Sequence, residues 1–135
     1  MVRLFVVIAA LILMAGCQNK DRSGFLIQTQ SSYNFEETLK ILNQSIRSYD
    51  GLVQLGTIDH AKNAKDVNQT LKPNTVILFD NLQMATHLIE CNPSMGLDLP
   101  LRLNISRNYQ GQVFIQYTNP EYWSLKHNIK DKECL

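Results

Sequence analysis

The most regular pattern of apolar and polar positions in the chain lies between residues 35 and 49. Apolar residues recur there at steps of four, three, four and three, which is the spacing of one helical face. Asn34 precedes this stripe with Glu37 three residues later, as in a capping box, and Asp50-Gly51 follows it. The pattern predicts an amphipathic helix with one buried stripe, formed by Phe35, Leu39, Leu42, Ile46 and Tyr49.

Five other stretches have the composition or the alternation of β-strands, namely residues 25–30, 51–60, 75–79, 99–106 and 112–117. In the second stretch the apolar positions change phase across Gly56, which predicts either a β-bulge or a strand covered on both faces. The third stretch is continuously apolar, so we expect it at the centre of a sheet. Residues 108–111 predict a hairpin turn between the last two strands.

Short helices are predicted over residues 61–69 and 82–90, and a last helix begins at Asn119-Pro120. In that last helix Trp123 and His127 are four residues apart and form a candidate contact surface. Its predicted buried stripe consists of Tyr122, Leu125 and Ile129. The order of elements predicts an α+β fold, with a mainly antiparallel sheet of about five strands and helices packed on one face.

The first 24 residues differ in character from the rest. Arg3 precedes an apolar run over residues 4–15, shorter than the roughly 20 residues that span a bilayer and typical of a secretory signal. The run ends in Leu13-Met-Ala-Gly-Cys17, which resembles the lipobox of bacterial lipoproteins. We therefore expect a signal peptide over 1–16, a polar tether over 17–24, a single domain over 25–130 and a C-terminal tail over 131–135. An ordinary cleaved signal and an uncleaved anchor are the alternatives.

Lipidation of Cys17 by acyl chains such as palmitate would attach the protein to a membrane of the bacterial envelope. In Gram-negative lipoproteins an aspartate after the cysteine favours the inner membrane, and Gln18 is not that residue. The resemblance therefore implies the outer membrane, with the domain facing the periplasm. Two cysteines remain in this oxidising compartment, Cys91 and Cys134, and we expect a disulfide between them, with two free thiols as the alternative.

The charge balance excludes one class of partner. The sequence has 13 basic and 12 acidic side chains, and loss of Arg3 with the signal peptide makes the two numbers equal. A net charge near zero provides no electrostatic basis for binding nucleic acid. The sequence thus predicts no nucleic-acid partner.

Several short motifs follow one another along residues 25–128, namely Ile58-Asp59-His60 with Ala61 and Ala64, Phe79 with Asn81, Thr86, Leu97-Asp98-Leu99-Pro100, Tyr117 with Asn119-Pro120, and His127. Because these motifs occur in the same order there, residues 25–128 resemble the bacterial and archaeal family called domain of unknown function 302. The family pattern has glycine or proline where this chain has Asp80, Leu82 and Ala85. The resemblance implies a fold similar to that of TATA-box-binding-protein-like domains. It also implies a domain that is commonly found as a homodimer and has no established activity.

Asp59, His60 and His127 are the candidate catalytic residues, because histidine titrates near neutral pH and a carboxylate can orient it. Asp59 and His60 are adjacent, so on a strand their side chains point to opposite faces. His60 with His127 is therefore the preferred pair, and we expect these two residues to meet. The alternatives are a structural His60 at a strand end and a His127 favoured by a helix C-terminus.

Three functions are consistent with this pattern. The first is a non-enzymatic envelope lipoprotein that binds a small ligand or an envelope protein. The second is an enzyme in which His60 and His127 act as base and acid, with Asp59 or Asp98 as orienting group. The third is a structural homodimer that uses the sheet edge or Trp123. The candidate ligand-binding residues are His60, Asn81, Thr86, Asp98 and His127.

No cofactor or metal site is predicted. No Gly-x-Ser-x-Gly or phosphate-loop motif occurs, and Ser, His and Asp are not gathered by any motif. The three histidines of the sequence, His60, His87 and His127, lack a paired spacing such as His-x-x-x-His.

Overall fold

The computed structural model describes residues 24–134. The predicted signal peptide, Cys17 and most of the tether lie outside these residues. The strands are β1 (Leu26–Gln30), β2 (Val53–Asp59), β3 (Asn74–Asp80), β4 (Leu101–Arg107) and β5 (Val113–Thr118). The helices are α1 (Phe35–Ser48), α2 (His60–Asp66), α3 (Leu82–Cys91) and α4 (Glu121–Lys126). Two short 3₁₀ helices are η1 (Pro93–Leu97) and η2 (Lys132–Cys134).

The five strands form an antiparallel sheet in the order β1-β5-β4-β3-β2. The predicted α+β fold is therefore confirmed. The expectation that residues 75–79 form the central strand is wrong, because β4 is central and β3 lies between β4 and the edge strand β2. A continuous apolar run shows that a strand is interior, but it does not show which interior position the strand takes.

The bulge predicted in β2 is present. Gln54 pairs with Phe79 and Gly56 pairs with Leu78, so Leu55 is an extra residue without a partner in the register. The Cβ position of Gly56 has no atom within 4 Å, so close packing is not the reason for glycine there. The bulge changes which face of the sheet the following residues occupy.

Helix α1 packs across one face of the sheet. Asn34 Oδ1 accepts the backbone N–H of Glu37 at 2.8 Å, which is the predicted N-cap. The core under the helix consists of Phe35, Ile46, Ile77, Ile105 and Val113. Tyr49 does not belong to it: α1 ends at Ser48, and Tyr49 is 69% exposed.

A second core lies at the end of the sheet where β3 and β5 end and β4 begins. It consists of Leu88, Met95, Trp123 and Ile129, with Leu99, Leu101 and Cys134 packed against them. Cys134 forms a disulfide with Cys91, as the sequence predicts. This core therefore joins α3, η1, α4 and η2 to the sheet.

The predicted orientation of the last helix is wrong. Trp123 and His127 are buried, at 7% and 3% exposure, whereas Leu125 is 76% exposed. Ile129 is buried as expected. Helix α4 has only six residues, so its buried face is set by the elements packed around it and not by its apolar content.

Candidate functional site

His127 lies at the centre of a chain of three hydrogen-bonded side chains. Its Nε2 atom is 2.5 Å from Asp98 Oδ2, and its Nδ1 atom is 2.6 Å from Ser94 Oγ. Ser94 belongs to η1, Asp98 caps the end of η1, and His127 caps the end of α4. The side-chain amide of Asn92 also donates to the backbone oxygen of His127 at 2.6 Å. These contacts fix both the position and the ring orientation of His127.

The charge of Asp98 determines where the protons of this chain lie. Burial by itself raises the pKa of the Asp98 carboxyl, but hydrogen bonds and charge from Lys126 and His127 outweigh it, so the pKa lies below 3.8. Lys126 Nζ is 2.8 Å from Asp98 Oδ1. An ionised carboxylate only accepts hydrogen bonds, so His127 Nε2 carries a proton and donates it. In the neutral imidazole, Nδ1 then accepts the hydroxyl proton of Ser94.

The structure does not bring His60 to His127, and that expectation is wrong. His60 is the exposed first residue of α2, directly after Asp59, which pairs with Thr75 at the start of β3. Asp98 lines a cavity with Phe79, near the other end of β3. A seven-residue strand is roughly 20 Å long, so the two histidines lie at opposite ends of the sheet.

Three other predicted site residues have local roles in the structure. Asp59 Oδ1 accepts the N–H of Lys62 at 2.9 Å and caps α2. Asn81 Oδ1 accepts the N–H of Met84 at 3.0 Å and caps α3, and the exposed Thr86 donates its hydroxyl to the carbonyl of Leu82. Of the candidate ligand-binding residues, the structure therefore joins Asp98 to His127 through a side-chain hydrogen bond.

Two cavities flank Trp123, and together we call them the Trp123 groove. The first has a volume of about 310 Å³, and the second has a volume of about 390 Å³. Leu101, Pro120 and Trp123 line both. The first cavity is completed by Phe79, Asp98, Arg102, Leu103, Tyr117 and Thr118. The second is completed by Asp80, Met84, His87, Leu88, Leu99, Glu133 and Cys134.

The walls of the groove contain two polar groups that are costly to bury. Among residues 24–134, the indole N–H of Trp123 is buried without a hydrogen-bond partner. A buried donor left unpaired costs about 1–3 kcal/mol. Asp80 is 5% exposed, and burial raises the pKa of its carboxyl, against a smaller opposing effect of its hydrogen bond from the Asn81 N–H. The groove thus combines apolar walls with one donor on Trp123 that is unpaired within the described part of the chain and one buried carboxyl on Asp80, and apolar walls with a few polar groups are typical of ligand sites.

Three features of the site were not predicted from the sequence: Ser94, Asp80 and the position of Trp123 in the wall of the groove. Ser94 is 33 residues from His127, so only the folded structure shows that they meet. Asp80 carried a recognisable signal, because it is an acidic residue directly after an apolar strand and replaces a residue of the family pattern. Asp80 is the last residue of β3 and lines the second cavity of the groove.

The sequence model described as "Domain of unknown function DUF302" matches residues 27–134. The chain belongs to this family. The resemblance drawn from the residues is thereby confirmed. The crystal structure of an uncharacterised conserved DUF302 protein from Bacillus stearothermophilus has a TM-score of 0.72 at 19% identity, covering 83% of this chain and 85% of that one. At this identity the likeness shows that the two DUF302 domains share a fold.

Curated relatives of this DUF302 chain include two proteins from Brucella. The fluoride-specific ion channel FluC 1 of Brucella suis biovar 1 is 27% identical over 104 residues, which are 77% of this chain and 41% of that protein. FluC 2 of Brucella melitensis biotype 1 is also 27% identical over 104 residues, with 38% of that protein covered. The chain thus spans about two fifths of the length of these relatives. Within residues 24–134, no helix has the length and apolar character needed to cross a membrane.

Proposed function

We propose that this DUF302 domain binds a small molecule in the Trp123 groove. The observation that carries the proposal is the position of Trp123, which separates two mainly apolar cavities and has a buried indole N–H without a partner among the described residues. The indole nitrogen is itself fully buried, so a bound oxygen acceptor would satisfy it once the indole turns towards the ligand, and would then recover the cost of its burial. Catalysis is not part of this proposal.

The lining indicates the chemistry of the ligand. Phe79, Leu103 and Tyr117 favour an apolar or aromatic body, and a cavity of about 310 Å³ accommodates a small molecule. Trp123 in the wall carries an indole donor that is unpaired among the described residues, which favours an oxygen acceptor on the ligand. We infer a small, largely apolar compound that carries a carbonyl or carboxylate oxygen.

We further propose that a lipid on Cys17 holds the domain at the bacterial envelope, on the outer membrane. The signal-like residues 1–16 and the small residues before Cys17 support this attachment. The ring of Phe25 packs against that of Tyr122 of α4 in a tilted arrangement, with ring centroids 4.3 Å apart, and Asn119 donates its amide to the carbonyl of Gly24. The tether therefore leaves the domain beside α4, so the lipid would keep the groove end close to the membrane.

The proposal can be tested by fluorescence, because the sequence has a single tryptophan. Titration of the purified protein with small apolar carboxylates and carbonyl compounds is expected to change the intensity or emission maximum of Trp123. Leu103→Phe would fill the first cavity and weaken binding by at least tenfold. Leu78→Phe adds the same volume to the neighbouring strand but on the opposite face of the sheet, and is expected to bind as the wild type does. Equal affinities of the two variants would refute binding in this cavity.

The hydrogen-bonded chain of Ser94, His127 and Asp98 supports a second candidate function, acyl transfer from an ester. Ser94 Oγ would bond to the ester carbonyl carbon while its proton passes to His127 Nδ1, and Asp98 would stabilise the resulting imidazolium. The leaving alcohol would take that proton, and water would then release the acid by the reverse transfer. His127 keeps the acid–base role predicted from the sequence, and Ser94 adds a nucleophile that was not predicted.

An active-site-directed fluorophosphonate separates the two candidates. It is expected to add one covalent adduct per chain, detected by intact mass, and Ser94→Ala is expected to abolish the adduct. Ser48→Ala, at an exposed serine of α1, serves as the matched control. Absence of any adduct on the wild type would rule out a nucleophilic Ser94 and leave ligand binding in the groove unaffected.

A further inference from the structure

We propose that this domain, when its disulfide is reduced, binds one Zn²⁺ ion through His87, Cys91 and Cys134. The side chains of these three residues offer ligand atoms that all lie within 4.8 Å of one another. Imidazole nitrogen and thiolate sulfur are the ligands that zinc prefers in proteins. The sequence did not predict this site, because it was sought among histidines alone.

Two elements provide the ligands. His87 and Cys91 are four residues apart on α3, so their side chains lie on the same face of the helix. Cys134 ends η2, and His87 is held beside η2 by a contact of 3.0 Å between its Nε2 atom and the carbonyl oxygen of Glu133. The third ligand is therefore brought to the first two by tertiary structure, across 43 residues of sequence from Cys91.

The spacing requires only a small rearrangement. Zn–S and Zn–N bonds of tetrahedral sites place neighbouring ligand atoms roughly 3.5–3.8 Å apart. The ligand atoms here lie within 4.8 Å, so the largest contraction is about 1 Å. Reduction frees the two sulfur atoms to part, and Cys134 can move because η2 has only three residues.

The surroundings give the ion access and a fourth position. His87, Glu133 and Cys134 line the second cavity of the Trp123 groove, which has a volume of about 390 Å³. His87 is exposed, whereas both cysteines are partly buried. A set of two cysteines and one histidine leaves the fourth position to water or to the exposed carboxylate of Glu133. The proposed ion would therefore face the cavity.

The disulfide controls the site. A dithiol reductant transfers two electrons and two protons to the Cys91–Cys134 disulfide, which gives two thiols while the reductant forms its own disulfide. Zn²⁺ then displaces the two thiol protons and binds the two thiolates and one ring nitrogen of a neutral His87. In the oxidised form neither sulfur is a thiolate, so the same residues bind zinc weakly.

Co²⁺ and Zn²⁺ alone serve as the probes. The protein is reduced with dithiothreitol, freed of the reductant without air and titrated with Co²⁺, while the oxidised protein is titrated in parallel. We expect a thiolate-to-cobalt charge-transfer band and the strong visible bands of tetrahedral Co²⁺ in the reduced sample, with one ion per chain. Zn²⁺ is expected to displace the Co²⁺. Equal binding by the oxidised protein, or no binding by the reduced protein, would overturn the proposal.

Two variants localise the ion. His87→Ala is expected to weaken Zn²⁺ binding about 100-fold or more, because loss of a direct ligand costs at least as much as loss of a supporting residue. His60→Ala removes an exposed histidine at the far end of the sheet and is expected to bind as the wild type does. Circular dichroism of each reduced sample, before and after addition of Zn²⁺, reports whether the chain is folded. If His87→Ala keeps the affinity of the wild type, the assigned ligand set is wrong.

Discussion

His127 Nε2 and Asp98 Oδ2 are 2.5 Å apart, although the two residues are separated by 29 positions in the sequence. This hydrogen bond ties the end of α4 to the end of η1, beside the Trp123 groove. Asp98 also accepts a hydrogen bond from the ammonium group of Lys126. One carboxylate therefore binds both Lys126, the last residue of α4, and His127, which caps the helix. The relationship makes the position of α4 sensitive to the charge of Asp98.

Replacement of Asp98 by Asn is expected to lower the free energy of unfolding by about 1.5–3 kcal/mol at pH 7, the usual range for hydrogen bonds to a charged group. The pKa of Asp98 in the folded protein is below its ordinary value of 3.8, so its stabilising contribution is present above 3.8 and is lost as the pH falls through the lowered pKa. Urea unfolding of both proteins from neutral to strongly acidic pH measures this. A destabilisation that is the same at every pH would show that charge is not its cause.

Replacement of Asp80 by Asn is expected to raise the free energy of unfolding at pH 7. Burial raises the pKa of Asp80 above 3.8, so its contribution to stability is present below 3.8 and is lost as the pH rises through the raised pKa. At pH 7 the wild type keeps a charge in a buried position, whereas Asn is neutral and can still accept the Asn81 N–H. The variant should therefore be more stable at pH 7 by urea unfolding, and this advantage should disappear in acid. Lower stability of the variant at pH 7 would contradict the prediction.

Replacement of Cys134 by Ser is expected to destabilise the domain by about 4 kcal/mol, because the disulfide closes a long loop and restricts the unfolded chain. The two cysteines are 43 residues apart. Cys91→Ser and the double variant should give similar losses, since each removes the same bond. Chemical unfolding under non-reducing conditions measures the three values. A double variant much less stable than either single variant would mean that the side chains contribute mainly by packing.

We expect the domain to form a homodimer through the edge strand β2. Val53, Leu55 and Ile58 of this strand are 42%, 51% and 38% exposed, and an unpaired apolar edge favours association with a second copy. Leu55→Lys should shift the protein to the monomer in sedimentation equilibrium. Leu125→Lys, at an apolar residue of α4 that is 76% exposed, is the control and should not. A wild type that remains monomeric at high concentration would exclude this interface.

Local features of the fold were predictable from the sequence because their causes are local. The cap at Asn34 and the bulge at Gly56 depend on a few neighbouring residues, and both are present. The order of the strands is not local: nothing in the apolar run of β3 distinguishes an interior position from the central one. Local chemistry thus predicts the elements better than their arrangement.

The site was less predictable, because its residues meet only through tertiary structure. Asp98 and His127 were both candidates, but Ser94 was not, and the pairing of His127 with His60 was wrong. His60 failed as a partner because β2 carries it to the opposite end of the sheet. Trp123 was predicted to lie outside the buried stripe of α4, because a six-residue helix gives too few positions to define its orientation.

The disulfide also determines how the domain would carry a mechanical load. A pull between Gly24 and the C-terminus passes from Cys91 directly to Cys134 through the covalent bond. The intervening segment contains β4, β5 and α4, and it is therefore outside the path of the force. Because the two cysteines are 43 positions apart, the bond prevents roughly 150 Å of extension, at about 3.5 Å per residue. Force applied to the oxidised chain can thus unfold and extend the part of the domain before Cys91. The central strand β4 and most of the groove wall lie in the loop closed by the disulfide, and the force cannot extend that loop.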